Sequence, residues 1–256
     1  MPVHSLRGCS REVKGFLFFA RTKHICGPPA EVLYEPRGRD HLLHEQQTFW
    51  AYEDIGLFFF CTLLLKLLLH SAVRLHLSTQ ASLAQPTLTI QIFILVFLMA
   101  SLYAILKLRY RRHVWHALGW TRPRAKYCGI AVLGGGILAI PVVVFVHWAN
   151  WPAPVIRFWD LVLPGVLLGP ALEESFFRGC LLPTLARTTG VPVAMVASAL
   201  LFAALHKPLT ILQWVSLTVT GTAYGWMRAS SGSTTAAILM HGTYNLTLSL
   251  CEILRA

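Results

Sequence analysis

The amino-acid sequence predicts an all-α fold, a polytopic membrane bundle of about seven transmembrane helices. Of its 256 residues, 55% are hydrophobic and only 13% are charged, whereas about 25% are charged in a typical soluble domain. The mean hydropathy is +0.57. The apolar residues also fall into runs of about 20, the length that a helix needs to cross the hydrocarbon core of a bilayer.

Seven apolar runs are candidate spans, and each is bounded by polar or turn-forming residues. The third run contains three consecutive glycines and Pro141, and the fourth contains three charged residues. The fifth is the shortest. The spans are expected at residues 55–73, 90–108, 127–148, 160–186, 191–206, 209–227 and 234–254.

The basic residues indicate how the bundle is oriented. The net charge is +11, and much of it lies in the loop after the second span, at Arg109, Arg111, Arg112, Arg122, Arg124 and Lys126. Basic loops stay on the cytoplasmic side of a membrane. The N-terminus lies two spans earlier and is therefore predicted to be cytoplasmic. The chain is expected to be a multi-pass integral membrane protein, of the plasma or inner membrane if the host is bacterial. No nucleic-acid-binding motif accompanies the positive charge, so no nucleic-acid partner is expected.

The chain divides into a tail and one membrane domain. Residues 1–53 are polar, basic and rich in His, Pro and Gly, which predicts a loosely ordered cytoplasmic extension. Residues 54–256 form the predicted membrane domain. Its core at residues 160–254 holds nearly all the polar side chains that lie within apolar sequence, and this asymmetry makes it the candidate catalytic region.

The stretch "EESFFRG", Glu173–Gly179, places three charges inside the fourth span. Each charge at the centre of a membrane helix costs about 2.5–3.5 kcal/mol. Glu174 and Arg178 are four residues apart on one helical face and can form an ion pair. Glu173 is rotated by about 100° from Glu174, so it needs a polar partner on another helix or a water-filled cavity.

Candidate partners for Glu173 lie in two later spans. His206 ends the run "ALLFAALH", and His241 and Asn245 share one face in "HGTYN". At 1.5 Å per residue, Glu173 and His206 both lie roughly 24 Å from the turn near Gly190. His241 and Asn245 lie roughly 12 and 18 Å from their own turn on the same side of the membrane. We therefore expect these four side chains to approach one another.

A carboxylate, two imidazoles and an amide facing one cavity can hydrolyse an acyl bond. The carboxylate and one imidazole can hold and activate a water, while the second imidazole and the amide can donate hydrogen bonds to a developing oxyanion. Ser175 and Cys180 are near the carboxylates, but neither has an obvious base partner and each is the weaker candidate nucleophile. Two His and one Glu can also hold a hydrolytic zinc ion, although the H-E-x-x-H signature is absent.

The order of the three motifs resembles the CPBP family, the CAAX prenyl protease and bacteriocin-processing membrane proteins. The family pattern is E-E-x-x-x-R, then F-x-x-x-H, then H-x-x-x-N. The resemblance covers about residues 160–253, and the stretch "GTAYGWMRASSGSTTAAILMHGTYN" is also similar to the family. In this sequence the motif positions are Glu173, Glu174 and Arg178, then Phe202 and His206, then His241 and Asn245.

The resemblance implies a glutamic-type intramembrane endopeptidase. Glu173 would activate water with the help of His206, and His241 and Asn245 would form the oxyanion hole. The substrate would be a membrane-associated or lipidated peptide or protein, reached within the lipid bilayer.

The resemblance assigns supporting roles to the other motif residues. Glu174 and Arg178 would orient the first helix of the site, and Phe202 would pack beside His206. It implies no cofactor and no metal ion. Three rival interpretations remain open: a non-catalytic member of the same fold that acts in bacteriocin immunity or as a scaffold, a zinc-dependent metalloprotease, and an ion-coupled transporter whose charges line a transport path.

Overall fold

The computed structural model describes residues 50–76, 88–110, 113–149 and 162–255, and every regular element within these ranges is helical. The prediction of an all-α fold is confirmed for this part of the chain. The elements are α1 (Tyr52–His76), α2 (Leu88–Tyr110), α3 (Val114–Ala117), α4 (Ala125–Trp148), the π-helix π1 (Val162–Leu168), α5 (Gly169–Phe176), the π-helix π2 (Phe177–Leu181), α6 (Leu182–Thr189), α7 (Val191–Leu205), α8 (Ile211–Ser231) and α9 (Thr234–Arg255).

Each predicted span corresponds to a helical segment whose ends agree within about one turn. Two helices among the described residues are long and apolar enough to cross a membrane, namely α2 with a hydropathy of 2.3 and α4 with 2.5. The number of seven transmembrane helices stays a prediction. Residues 1–49 of the predicted extension, Arg111 and Arg112 of the basic loop, and residues 160–161 of the predicted core lie outside the described residues.

A buried carboxylate joins the start of α1 to the end of α2. Asp54 is fully buried, and its Oδ2 accepts hydrogen bonds from the backbone N–H of Ala51, at 2.9 Å, and from the hydroxyl of Tyr110. Its Oδ1 pairs with Nε of Arg109 at 2.8 Å. Because the start of α1 meets the end of α2, the two helices run antiparallel.

The glycines of the third predicted span let α4 and α9 approach at the level of their backbones. A Cβ added at Gly135 would lie 2.4 Å from the carbonyl oxygen of Met240 and 3.0 Å from the backbone nitrogen of Tyr244. Small residues allow this kind of close contact between membrane helices. Gly135 thereby brings the backbone on either side of His241 against α4.

We expect Gly135→Val to separate α4 from α9 and to destabilise the fold by about 1–3 kcal/mol. The obstructing atoms are two backbone atoms and the Cβ of Thr243, and none of them can move away by a change of rotamer. Gly129→Val is the matched control, since a Cβ at Gly129 meets nothing within 4 Å. Unfolding in mixed detergent micelles with increasing SDS measures both variants. Equal stability of the two would contradict the close packing.

Candidate functional site

The site is built on one continuous helical segment, residues 162–189, which we call the site helix; it consists of π1, α5, π2 and α6. Its two π-helical turns were not predicted. In a π-helix the N–H of residue i+5 donates to the carbonyl of residue i, and in each turn one carbonyl has a proline at that donor position. In π2 the backbone N–H of Leu182 donates to the carbonyl of Phe177, so it does not serve Arg178. The next donor in the π register would be Pro183, which has no N–H.

Side chains from other helices supply the missing donors. Arg228 of α8 donates from Nε to the carbonyl of Arg178 at 3.3 Å. In π1 the corresponding donor for Gly165 would be Pro170, and Asn245 of α9 donates from Nδ2 to the Gly165 carbonyl at 2.7 Å. Buried backbone carbonyls need such partners. The prolines thus explain why a side chain from another helix bonds to each π-helical turn.

Glu173 lies between the two imidazoles predicted to face it. Its Oε2 is 3.8 Å from Nε2 of His206 and 4.0 Å from Nε2 of His241. Glu173 and His206 are 31% and 36% exposed at their side chains, whereas His241 is 6% exposed. The site therefore has an open side at Glu173 and His206 and a closed side at His241.

The second ring nitrogen of each histidine has a hydrogen-bond acceptor. Nδ1 of His206 lies 2.8 Å from the carbonyl oxygen of Phe202, and Nδ1 of His241 lies 2.8 Å from Oε1 of Glu174. A carbonyl or an ionised carboxylate only accepts, so Nδ1 carries the proton in both rings. In the neutral form, each ring then presents the lone pair of Nε2 toward Glu173.

Glu174 links two helices at the closed side of the site. Its Oε1 also accepts from Nη1 of Arg178 at 3.0 Å, and both side chains are almost fully buried. Nη2 of Arg178 donates to the carbonyl of Gly221 at 2.6 Å. The predicted pair of Glu174 and Arg178 is present, and Glu174 in addition holds His241, a contact that sequence spacing did not predict.

Aromatic rings enclose the two imidazoles. Phe202 lies 4.4 Å from the ring of His206 and 5.8 Å from that of His241. Tyr224 of α8 stacks on His241 with ring centroids 4.6 Å apart and an angle of 15° between the planes. Tyr224 was not among the predicted site residues. Tyr224 lies within the stretch from Gly221 that is similar to the family, but nothing in that stretch marks it as a partner of His241.

The two weaker candidate nucleophiles, Ser175 and Cys180, bond to groups other than the imidazoles. The hydroxyl of Ser175 donates to the carbonyl of Ala171 at 2.6 Å and accepts from Nε1 of Trp120 at 2.8 Å. Cys180 is fully buried, and its thiol donates to the carbonyl of Ser175 at 3.2 Å. Each group is thus engaged in hydrogen bonds that involve neither imidazole.

Within the described ranges, no group of three His, Cys, Asp or Glu side chains is arranged to hold a metal ion. Oε2 of Glu173 and Nε2 of His206 and His241 are atoms of the kinds that bind zinc, and Oε2 lies 3.8 and 4.0 Å from the two nitrogens.

Comparison with known proteins identifies the region that holds these residues. No curated protein and no solved structure matches the chain. The family described as Rce1-like, type II CAAX prenyl endopeptidase, matches residues 155–247. This match contains the site helix, α7 and α8 and extends through His241 and Asn245. This match covers less than half of the chain and supports its assignment to the CPBP family, and the matched family is one of membrane-embedded CAAX proteases.

Proposed function

We propose that the protein is an intramembrane endopeptidase in which Glu173 and His206 activate a water molecule to hydrolyse a peptide bond. The substrate is a membrane-associated or lipidated peptide or protein. The observation that carries the proposal is the placement of one carboxylate oxygen about 4 Å from two imidazole nitrogens.

The spacing of these three atoms suits one bridging water. Each separation is too long for a direct hydrogen bond, and a polar contact of this length is commonly bridged by water. When His206 is neutral, Oε2 of Glu173 and Nε2 of His206 are both acceptors. A water can donate to both of them and accept from Nε2 of a protonated His241, which leaves one lone pair on its oxygen for attack.

The reaction then balances without a covalent intermediate. The water oxygen forms a bond to the substrate carbonyl carbon while its proton passes to Glu173 or His206. The same proton is delivered to the amide nitrogen as the C–N bond breaks. The products are a new amine and a new carboxylic acid, which ionises by releasing the second proton of the water. The side chains of Glu173 and His206 are partly exposed, while Oε2 of Glu173 is buried without a hydrogen-bond partner among the described residues, as an atom that needs a bound water would be.

His241 is the proposed hydrogen-bond donor to the oxyanion that forms on the substrate carbonyl oxygen. A ring whose Nδ1 donates to Glu174 can donate from Nε2 only as the imidazolium, so the proposed role requires that form of His241. Asn245 is a weaker contributor than the sequence predicts, since one of its amide hydrogens is engaged by the Gly165 carbonyl. Its second N–H remains as the candidate donor.

The experiment that tests the function uses the full chain reconstituted in liposomes. The probe is a fluorescent peptide that ends in a farnesylated cysteine followed by three residues, with the non-farnesylated peptide as the comparison. We expect mass spectrometry to show release of the three terminal residues from the farnesylated probe. If both probes stay intact, comparing the termini of membrane proteins in cells with and without the chain still searches for another peptide substrate. Identical termini would favour the non-catalytic interpretation.

We expect chelators to leave cleavage of the probe unchanged within about two-fold, because the proposed nucleophile is activated by a carboxylate and an imidazole rather than by a metal. The rate is measured before and after dialysis against 1,10-phenanthroline, with a zinc protease as the positive control. A loss of activity that zinc restores would instead support the arrangement of Glu173, His206 and His241 as metal ligands.

A further inference from the structure

We propose that Tyr224 is a positioning residue of this site, whose ring holds the imidazole of His241 in the one orientation that joins Glu174 to the reacting groups. The proposal rests on the proposed function for its effect on turnover. The contact itself is independent of that function, and Tyr224 is not one of the seven motif positions named above.

The geometry leaves His241 little freedom. One face of the imidazole is covered by the Tyr224 ring at 4.6 Å and 15°, and the edge of Phe202 meets it at 77°. A ring rotation of His241 would break the Nδ1 hydrogen bond to Glu174 and turn Nε2 away from Glu173. Since offset-stacked rings attract one another, Tyr224 opposes that rotation.

Tyr224 is itself held by the packing of α8. Gly221, Tyr224 and Arg228 lie three and four residues apart on one buried face of α8. The carbonyl of Gly221 accepts a hydrogen bond from Arg178 of the site helix, and Arg228 donates one to the carbonyl of Arg178. The guanidinium carbon of Arg178 also lies 5.4 Å from the centroid of the Tyr224 ring. The face of α8 that binds the site helix thus fixes the ring that stacks on His241.

The ring, rather than the hydroxyl, makes these contacts. Tyr224 is 1% exposed, and its hydroxyl oxygen is buried without a hydrogen-bond partner among the described residues. An aromatic face also favours a cation stacked on it, and the imidazolium of His241 is the form that can donate to an oxyanion. Phenylalanine keeps both the stacking of the ring on His241 and the attraction of an aromatic face for a cation, whereas leucine removes both.

Two substitutions separate these roles. With the farnesylated peptide in liposomes, we expect Tyr224→Phe to retain kcat within about three-fold. Tyr224→Leu should lower kcat by about 10–100-fold, the usual effect of losing the support of a catalytic ligand or base, with KM unchanged within about three-fold. Tyr103→Leu, at a tyrosine of α2 that is 43% exposed, is the control for the loss of a tyrosine. Loss of turnover in the Phe variant would overturn the assignment to the ring.

A spectroscopic measurement tests the contact even if the probe is not a substrate. In protein labelled with ¹⁵N-histidine, the His241 signals are identified by their loss in His241→Asn. We expect the Nδ1 proton to exchange slowly with solvent in the wild type and in Tyr224→Phe, and at least about 10-fold faster in Tyr224→Leu. Equal exchange in all three proteins would refute the positioning role. Failure of cleavage alone, with the exchange result as expected, would count against the proposed function only.

Discussion

Glu173→Gln is expected to lower the turnover of the farnesylated probe by about 10²–10⁴-fold, the range attributed to a general base. The amide of glutamine matches the carboxylate in size but cannot take a proton from water. It also places an N–H where the structure has an acceptor facing two imidazole nitrogens. Binding of the peptide should change little, so the loss should appear in kcat and not in KM.

Glu53→Gln is the matched control for this substitution, because Glu53 is an exposed residue in the first turn of α1. Both variants are purified in the same detergent and assayed with the same probe. Stability should be preserved in Glu173→Gln, since the side chain is 31% exposed and has no ion pair with a lysine or arginine among the described residues. Wild-type turnover in this variant would remove Glu173 from the mechanism.

Arg178→Met is expected to destabilise the protein by about 3–5 kcal/mol, the cost of leaving one charge of a buried ion pair without its partner. Arg178 is the cation that compensates Glu174, and it also donates to the Gly221 carbonyl. The variant therefore leaves a buried carboxylate and a buried carbonyl with fewer donors. The free energy of unfolding in SDS-containing micelles measures the effect.

Two comparisons make this prediction specific. Arg122→Met removes an exposed arginine and should change stability by less than about 0.5 kcal/mol. The double variant Glu174→Gln with Arg178→Met should recover part of the lost stability, because no unpaired charge stays buried. A single Arg178 variant as stable as the wild type would show that the pair with Glu174 is not needed.

The sequence alone determined which residues share a face of one helix and which residues lie at the same depth on neighbouring helices. The spacing of Glu174 and Arg178 predicted their ion pair. Equal distances from the turn at Gly190 predicted that Glu173 and His206 lie at one depth, and they are 3.8 Å apart. Such predictions succeed because helical rise and rotation are nearly constant, so position along a helix can be counted from residue numbers.

The tertiary structure decided which atoms bond across helices. Glu174 holds His241 as well as Arg178, Asn245 donates to a carbonyl of π1, and Tyr224 stacks on His241. None of these contacts follows from spacing within one helix. They depend on crossing angles, on the close approach that Gly135 permits, and on the carbonyls left without N–H donors by prolines in the π-helical turns. Counting residues along a chain cannot supply those quantities, because they belong to pairs of helices.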